Sequence, residues 1–132
     1  MSPPLRQRVR ERAGKRCEYC HFREEHLPLW PFHLDHVIAQ QHGGSDEETN
    51  LAWSCHRCNL HKGTNLSARD PDSSSVVPLF NPRLETWDSH FELQQGRIAG
   101  RTAPARATVW LLQMNVEGRV RLRRMLVEAR TW

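Results

Sequence analysis

Cys17-Glu18-Tyr19-Cys20 and Cys55-His56-Arg57-Cys58 enclose His33-Leu34-Asp35-His36, and Asn59-Leu60-His61-Lys62-Gly63 follows directly on the second pair. Two CxxC pairs can surround one Zn²⁺ tetrahedrally, and the oxygen and nitrogen donors left between them suit a second, harder cation. Thirty-four residues separate Cys20 from Cys55. That is more than a compact zinc ribbon uses, so the intervening chain must return on itself to bring the knuckles together. The competing readings are a redox dithiol or four unrelated buried thiols. Against both stand the occurrence of two CxxC pairs in one chain and an N-terminus, Met1-Ser2-Pro3-Pro4-Leu5-Arg6, that lacks the apolar core of a secretory signal. The expectation is therefore a cytoplasmic chain whose reduced CxxC pairs take metal.

Outward from this block, Phe32 to Val37 reads as a strand and Leu51-Ala52-Trp53 as its hairpin partner, with His42-Gly43-Gly44-Ser45-Asp46 as a loop between them. Cys55 to Lys62 carries no helix breaker before Gly63, which suits a C-cap, so the unit is ββα. Upstream, Ser2 as N-cap, Pro3 in a first turn and Gly14 as a stop predict a basic helix over 3–13. Downstream, residues 64–96 look irregular. From Thr102, with Pro104 suited to a first turn, helical spacing resumes; it is interrupted at Asn115 and continues from Val116 to Arg130. In that last helix Leu122, Met125, Leu126 and Ala129 share one face, with Arg119, Arg123 and Arg130 mostly away from it. The expected fold is α+β: a ββα-metal core stapled by a four-cysteine zinc site, an N-terminal basic helix and a C-terminal helical pair. It is read as one domain over 1–132, with its core at 12–65, an irregular connection at 66–101 and helices at 102–132.

The chain has 132 residues, 38% hydrophobic, with a mean hydropathy of -0.71. No apolar run approaches the roughly 20 residues of a membrane span, and a soluble protein is expected. The net charge of +4 is unevenly placed. Residues 1–16 hold six Lys/Arg against Glu11 alone, and 97–132 hold eight Arg against Glu117 and Glu128, leaving the middle acidic. Basic flanks around an acidic centre are the pattern of a polyanion held across a cation site.

The ordered set Arg16-Cys17-Glu18-Tyr19-Cys20, Leu34-Asp35-His36-Val37-Ile38, Gly43-Gly44-Ser45-Asp46, Asn50-Leu51, Cys55-His56-Arg57-Cys58-Asn59 and Lys62-Gly63 resembles the HNH endonuclease family over Arg12 to Asn65. The resemblance implies a metal-dependent endonuclease that hydrolyses DNA phosphodiester bonds. By position it makes His36 the general base, Asp35 and Asn59 the ligands of a catalytic Mg²⁺ or Mn²⁺, Asn50 the residue tying the loop to the base, and Lys62 a phosphate contact. Some members carry a histidine where Gly63 stands, and its absence suits an oxygen-ligated Mg²⁺ site. Cys17, Cys20, Cys55 and Cys58 are then the structural zinc ligands. The chemistry needs these residue types on its own account: a histidine near neutral pKa to accept a proton from water, and oxygen donors for a hard cation. The expected partner is DNA. The alternative is a catalytically silent, zinc-stabilised nucleic-acid-binding module. His33 shares a strand face with Asp35 and could assist the cation; His21 and His56 read as exposed or capping; Trp53 and Trp110 read as core.

Overall fold

A computed structural model describes residues 3–132, so the expected cap at Ser2 lies outside the described residues. The elements are α1 (Pro3–Arg12), β1 (His33–His36), β2 (Leu51–Ser54), α2 (His56–Lys62), β3 (Ser67–Arg69), β4 (Val76–Pro78), α3 (Trp87–His90), β5 (Phe91–Gln94), β6 (Arg97–Gly100), α4 (Ala103–Leu111) and α5 (Glu117–Glu128). The class is α+β, as expected, and the strands pair as three antiparallel hairpins. No helix among the described residues is long and apolar enough to cross a membrane. The chain divides into two compact units: one runs to Leu66 and takes in Asn81–Leu84, and the other comprises Ser67–Phe80 and Glu85–Trp132.

In the first unit, α1 ends where Gly14 and Lys15 both adopt positive φ, which lets Lys15 N–H reach the Arg10 carbonyl. Such a left-handed exit satisfies helix-end carbonyls. The knuckle Cys17–Cys20 follows, and β1 and β2 pair with His33 opposite Ser54, Leu34 opposite Trp53, Asp35 opposite Ala52 and His36 opposite Leu51. Cys55 caps α2, its sulfur accepting from Cys58 N–H. Val9, Tyr19, Phe22, Phe32, Leu51 and Trp53 form the core around the cysteines. The arginines of α1 are largely spent within this unit. Arg6 lies 4.7 Å over the Trp53 ring and donates to the Phe32 carbonyl, Arg8 pairs with Glu48, Arg10 forks onto Glu24, and Arg12 donates to the carbonyls of Glu48 and Leu51. Arg83 brings the segment Asn81–Leu84 onto Glu18.

In the second unit, the stretch over 66–101 that reads as irregular is instead ordered into two hairpins and a short helix. Its turns are built from polar side chains, which carry no hydrophobic period. Asp70 is fully buried, accepts from Asp72 N–H and Ser73 Oγ, and takes both arms of the Arg106 guanidinium. The β5–β6 turn needs Gly96 at φ +85, where a Cβ would sit 2.5 Å from the Val120 carbonyl oxygen. Thr102 caps α4 with Pro104 in its first turn, and Asn115 does break the helical run. The Asn115 carboxamide bonds both N–H and C=O of Ile98, as a neighbouring strand would.

Two expectations for the C-terminal helices fail. Trp110 is 61% exposed, because α4 packs through Ala105, Ala107 and Thr108. On α5 the buried residues are Arg119, Val120 and Arg123, while Met125 is 58% exposed. The reason is hydrogen bonding: Arg123 donates to the carbonyls of Gly96 and Met114, which would otherwise be buried without donors.

Candidate active site and metal centre

The four cysteines converge from two knuckles. All are buried, and their sulfurs lie within 4.8 Å of one another. Cys20 Sγ and Cys55 Sγ are 3.6 Å apart, too far for a disulfide and near the edge of about 3.8 Å in a tetrahedron with Zn–S bonds of about 2.3 Å. Cys20 N–H points at Cys17 Sγ and Cys58 N–H at Cys55 Sγ, both at 3.4 Å, so the knuckle amides already face the sulfurs as they would face thiolates. Burial pushes the Cys17 thiol well up, whereas its hydrogen bond to Cys17 holds the Cys55 thiol down; a bound cation favours the thiolate at every ligand. The donor set fits a structural zinc.

Tyr19, between the first two ligands, is fully buried and donates its hydroxyl to Asp35 Oδ2 at 2.6 Å. Asp35 is 4% exposed. Burial pushes its carboxyl up, and the Lys62 charge with the Tyr19 hydrogen bond opposes that push. Lys62 does not stand open to a phosphate, as the sequence led one to expect. It is 2% exposed and directs its ammonium to Asp35 at 3.3 Å and to the carbonyls of His36 and Val37. An ammonium out of water needs such acceptors, and these lie where β1 ends.

Neighbouring residues in a strand face opposite ways, so Asp35 and His36 can share a site only if the strand stops at them. It does: β1 ends at His36. Asp35, His36 and Asn59 line one open cleft of about 460 Å³, with Gln40 and Thr64 among its walls. The Asn59 carboxamide makes no hydrogen bond to the described residues. His36 Nε2 lies 2.7 Å from Asp46 Oδ1, and Gln40 Nε2 donates to the same oxygen at 2.7 Å. These two bonds, His36 first, hold the Asp46 carboxyl below the usual carboxylate range.

Asn50 does not enter the cleft. It bonds both backbone groups of Ile38 and the Ser45 carbonyl, and so binds the loop carrying Asp46 to the end of β1. Gly44 is required there, since a Cβ would overlap the Ile38 carbonyl. His33 is also elsewhere: its Nε2 is 3.0 Å from His56 Nδ1, and Trp30 stacks on His56 at 4.9 Å. Burial lowers the His33 pKa, and the His56 and Arg6 charges lower it further. His56 is therefore half-buried and paired with His33 and Trp30 rather than exposed or capping. The residues that sequence reasoning missed are Tyr19, Asp46 and Gln40. Asp46 belonged to the quoted Gly-Gly-Ser-Asp run and was legible there; Tyr19 reads only as an apolar knuckle residue.

A curated relative, the Septu protein PtuB of Bacillus thuringiensis, is 26% identical over 136 residues, an alignment spanning 98% of this chain. It covers 48% of that protein, so the chain spans about half the length of the relative it matches. No solved structure is matched. Residues 17–65, from Cys17 to just past Lys62 and Gly63, match the family model of the HNH endonucleases, and this matched segment holds both the four-cysteine cluster and the Asp35–His36–Asn59 cleft.

Proposed function

We propose that this chain is a metal-dependent endonuclease hydrolysing DNA phosphodiester bonds, with His36 as general base. The observation that carries the reading is the meeting of Asp35, His36 and Asn59 in one open cleft inside the HNH segment. His36 takes the proton from the attacking water; Asp46, bonded to one ring nitrogen, fixes the ring and stabilises the imidazolium. Asp35 and Asn59 would hold Mg²⁺ or Mn²⁺, two oxygen donors that leave room for waters and a phosphate oxygen. That cation, when bound, stabilises negative charge on the phosphorane and the leaving oxygen. Asn50 keeps the Asp46 loop in place, and Lys62 with Tyr19 holds Asp35 in one orientation. Zinc in the four-cysteine cluster is structural.

One observation favours the second reading, a silent zinc-stabilised nucleic-acid-binding module. The Lys62 ammonium already answers the Asp35 charge. A plasmid-nicking assay with Mg²⁺ or Mn²⁺ separates the two. His36→Ala should leave DNA binding intact and cut the rate by roughly two to four orders of magnitude. Asp35→Asn should instead raise the metal concentration needed for half-maximal rate. If wild type nicks no faster than an EDTA control, the module reading replaces the nuclease.

A further inference from the structure

In the first unit the arginines of α1 are committed to Trp53, Glu48, Glu24 and backbone carbonyls. The cations left over gather just past the helix. A cavity of about 700 Å³, separate from the Asp35–His36–Asn59 cleft, is lined by Arg10, Lys15, Arg16, Arg23, Glu24 and Glu25. Among the described residues neither the Lys15 ammonium nor the Arg16 guanidinium has an ion pair. Arg16 and Arg23 face each other across an antiparallel bridge. Like charges in that position repel, and nothing internal compensates them fully. Glu24 is occupied by Arg10 and by Trp53 Nε1. Glu25 reaches Arg23 only at 3.7 Å, beyond hydrogen-bond distance, and its side chain is 70% exposed. At the end of α1 the Arg10 and Glu11 carbonyls already accept from Lys15 and Gly14 N–H, which lessens but does not remove the negative end of the helix, so the cations here must outweigh it.

We infer that this cavity is a phosphate-binding site, in which Arg16 and Arg23 clamp a phosphate group and Lys15 meets it at the rim. Two forked guanidiniums suit the several oxygens of a phosphate better than a single carboxylate. The source we assign is a backbone phosphate of a nucleic acid, a step that rests on the nuclease reading; the site itself does not. A free phosphate or a nucleotide offers the same chemistry.

The test uses the full zinc-loaded chain without added Mg²⁺ or Mn²⁺, so that no cleavage is needed. A short labelled duplex is titrated over a salt series, and inorganic phosphate is titrated separately while the Nε–H signals of Arg16 and Arg23 are followed by NMR. Arg16→Gln with Arg23→Gln should weaken duplex binding roughly tenfold or more and lower the salt slope by up to about two. Because Arg16 adjoins Cys17, two exposed positions guard against misfolding. Lys15→Asn, tolerated at positive φ, should lower the slope by up to about one. Glu25→Gln should strengthen binding by roughly two- to threefold, a gain that a damaged fold cannot produce. Changes in both titrations support the site with a backbone phosphate. Changes with inorganic phosphate alone support the site and reject the nucleic-acid source. If neither titration responds to any of these variants, the site is overturned. A chain that binds phosphate here but never nicks DNA refutes the nuclease reading and leaves this site standing.

Discussion

The two units solve the same problem by different means. Each is about half the chain, too short for its apolar core alone to supply much stability. The first gathers four thiols at its centre, with one hydroxyl reaching from the knuckle to the Asp35 carboxylate that lines the cleft. The second shows no such cluster among its described residues. It buries Asp70, Arg119 and Arg123, and closes its turns and strand edge with Arg106, Arg123 and Asn115. The difference teaches where arginine content is informative. On α1 and α5 alike, a row of arginines that reads as a solvated nucleic-acid face is in good part internal wiring.

The sharpest way to break this comparison is to remove the metal. Cys58→Ser, or a strong chelator, should abolish the expected zinc content of about one per chain and unfold the β1–β2 hairpin, since structural zinc supplies apparent binding energy on the order of 10 kcal/mol in small domains. Amide hydrogen exchange should show protection lost from β1, β2 and α2 but kept in β5 and β6. Equal loss in both regions would mean that they are not separately held.

The converse comes next in size. Arg123→Leu strands the Gly96 and Met114 carbonyls and should cost about 2–4 kcal/mol. Exchange should speed in β5 and β6 with zinc content unchanged. A variant that keeps wild-type stability and instead loses salt-dependent DNA binding would restore Arg123 to the surface role its spacing suggests.

Smaller still is the link from knuckle to cleft. Tyr19→Phe removes one buried hydrogen bond and should cost about 1–2 kcal/mol. Zinc content should hold while Mn²⁺ affinity at the cleft falls several-fold. Unchanged Mn²⁺ affinity would leave Tyr19 a core residue only.

The mildest effect is in pH. The Arg106 hydrogen bonds, ahead of those from Ser73 and Asp72, hold the Asp70 carboxyl below the usual carboxylate range. A group with a depressed folded pKa adds stability above its unfolded value of about 3.9, and that contribution is lost as pH falls from there towards the folded value. Acid should therefore loosen the β3–β4 turn, and Asp70→Asn should remove that part of the pH dependence. An unaltered acid limb in thermal melts would show that the turn is held by something else.

The first unit was largely legible because its signals are local. Paired cysteines, Gly63 after an unbroken run and the Gly43-Gly44-Ser45-Asp46 loop each name a backbone event within a few residues. The second unit was not: its hairpins turn on Asp70, Gly96 and Asn115, whose partners Arg106, Val120 and Ile98 lie 17 to 36 residues away or across a backbone contact. Helical spacing also misplaced the buried face of α5, since a period of apolar residues cannot show that two carbonyls elsewhere lack donors.

By itself the sequence determined the four-cysteine donor set, the ββα order and the identity of the three residues that meet in the cleft, because residue type and spacing are properties of the chain. Only the tertiary structure decided that β1 stops at His36, that Asp46 stands at its ring, that Lys62 turns inward to Asp35, and that Arg16 is set against Arg23. Those outcomes depend on which buried acceptors each charged group finds after folding, and a cation goes to the nearest group that loses most by remaining unpaired.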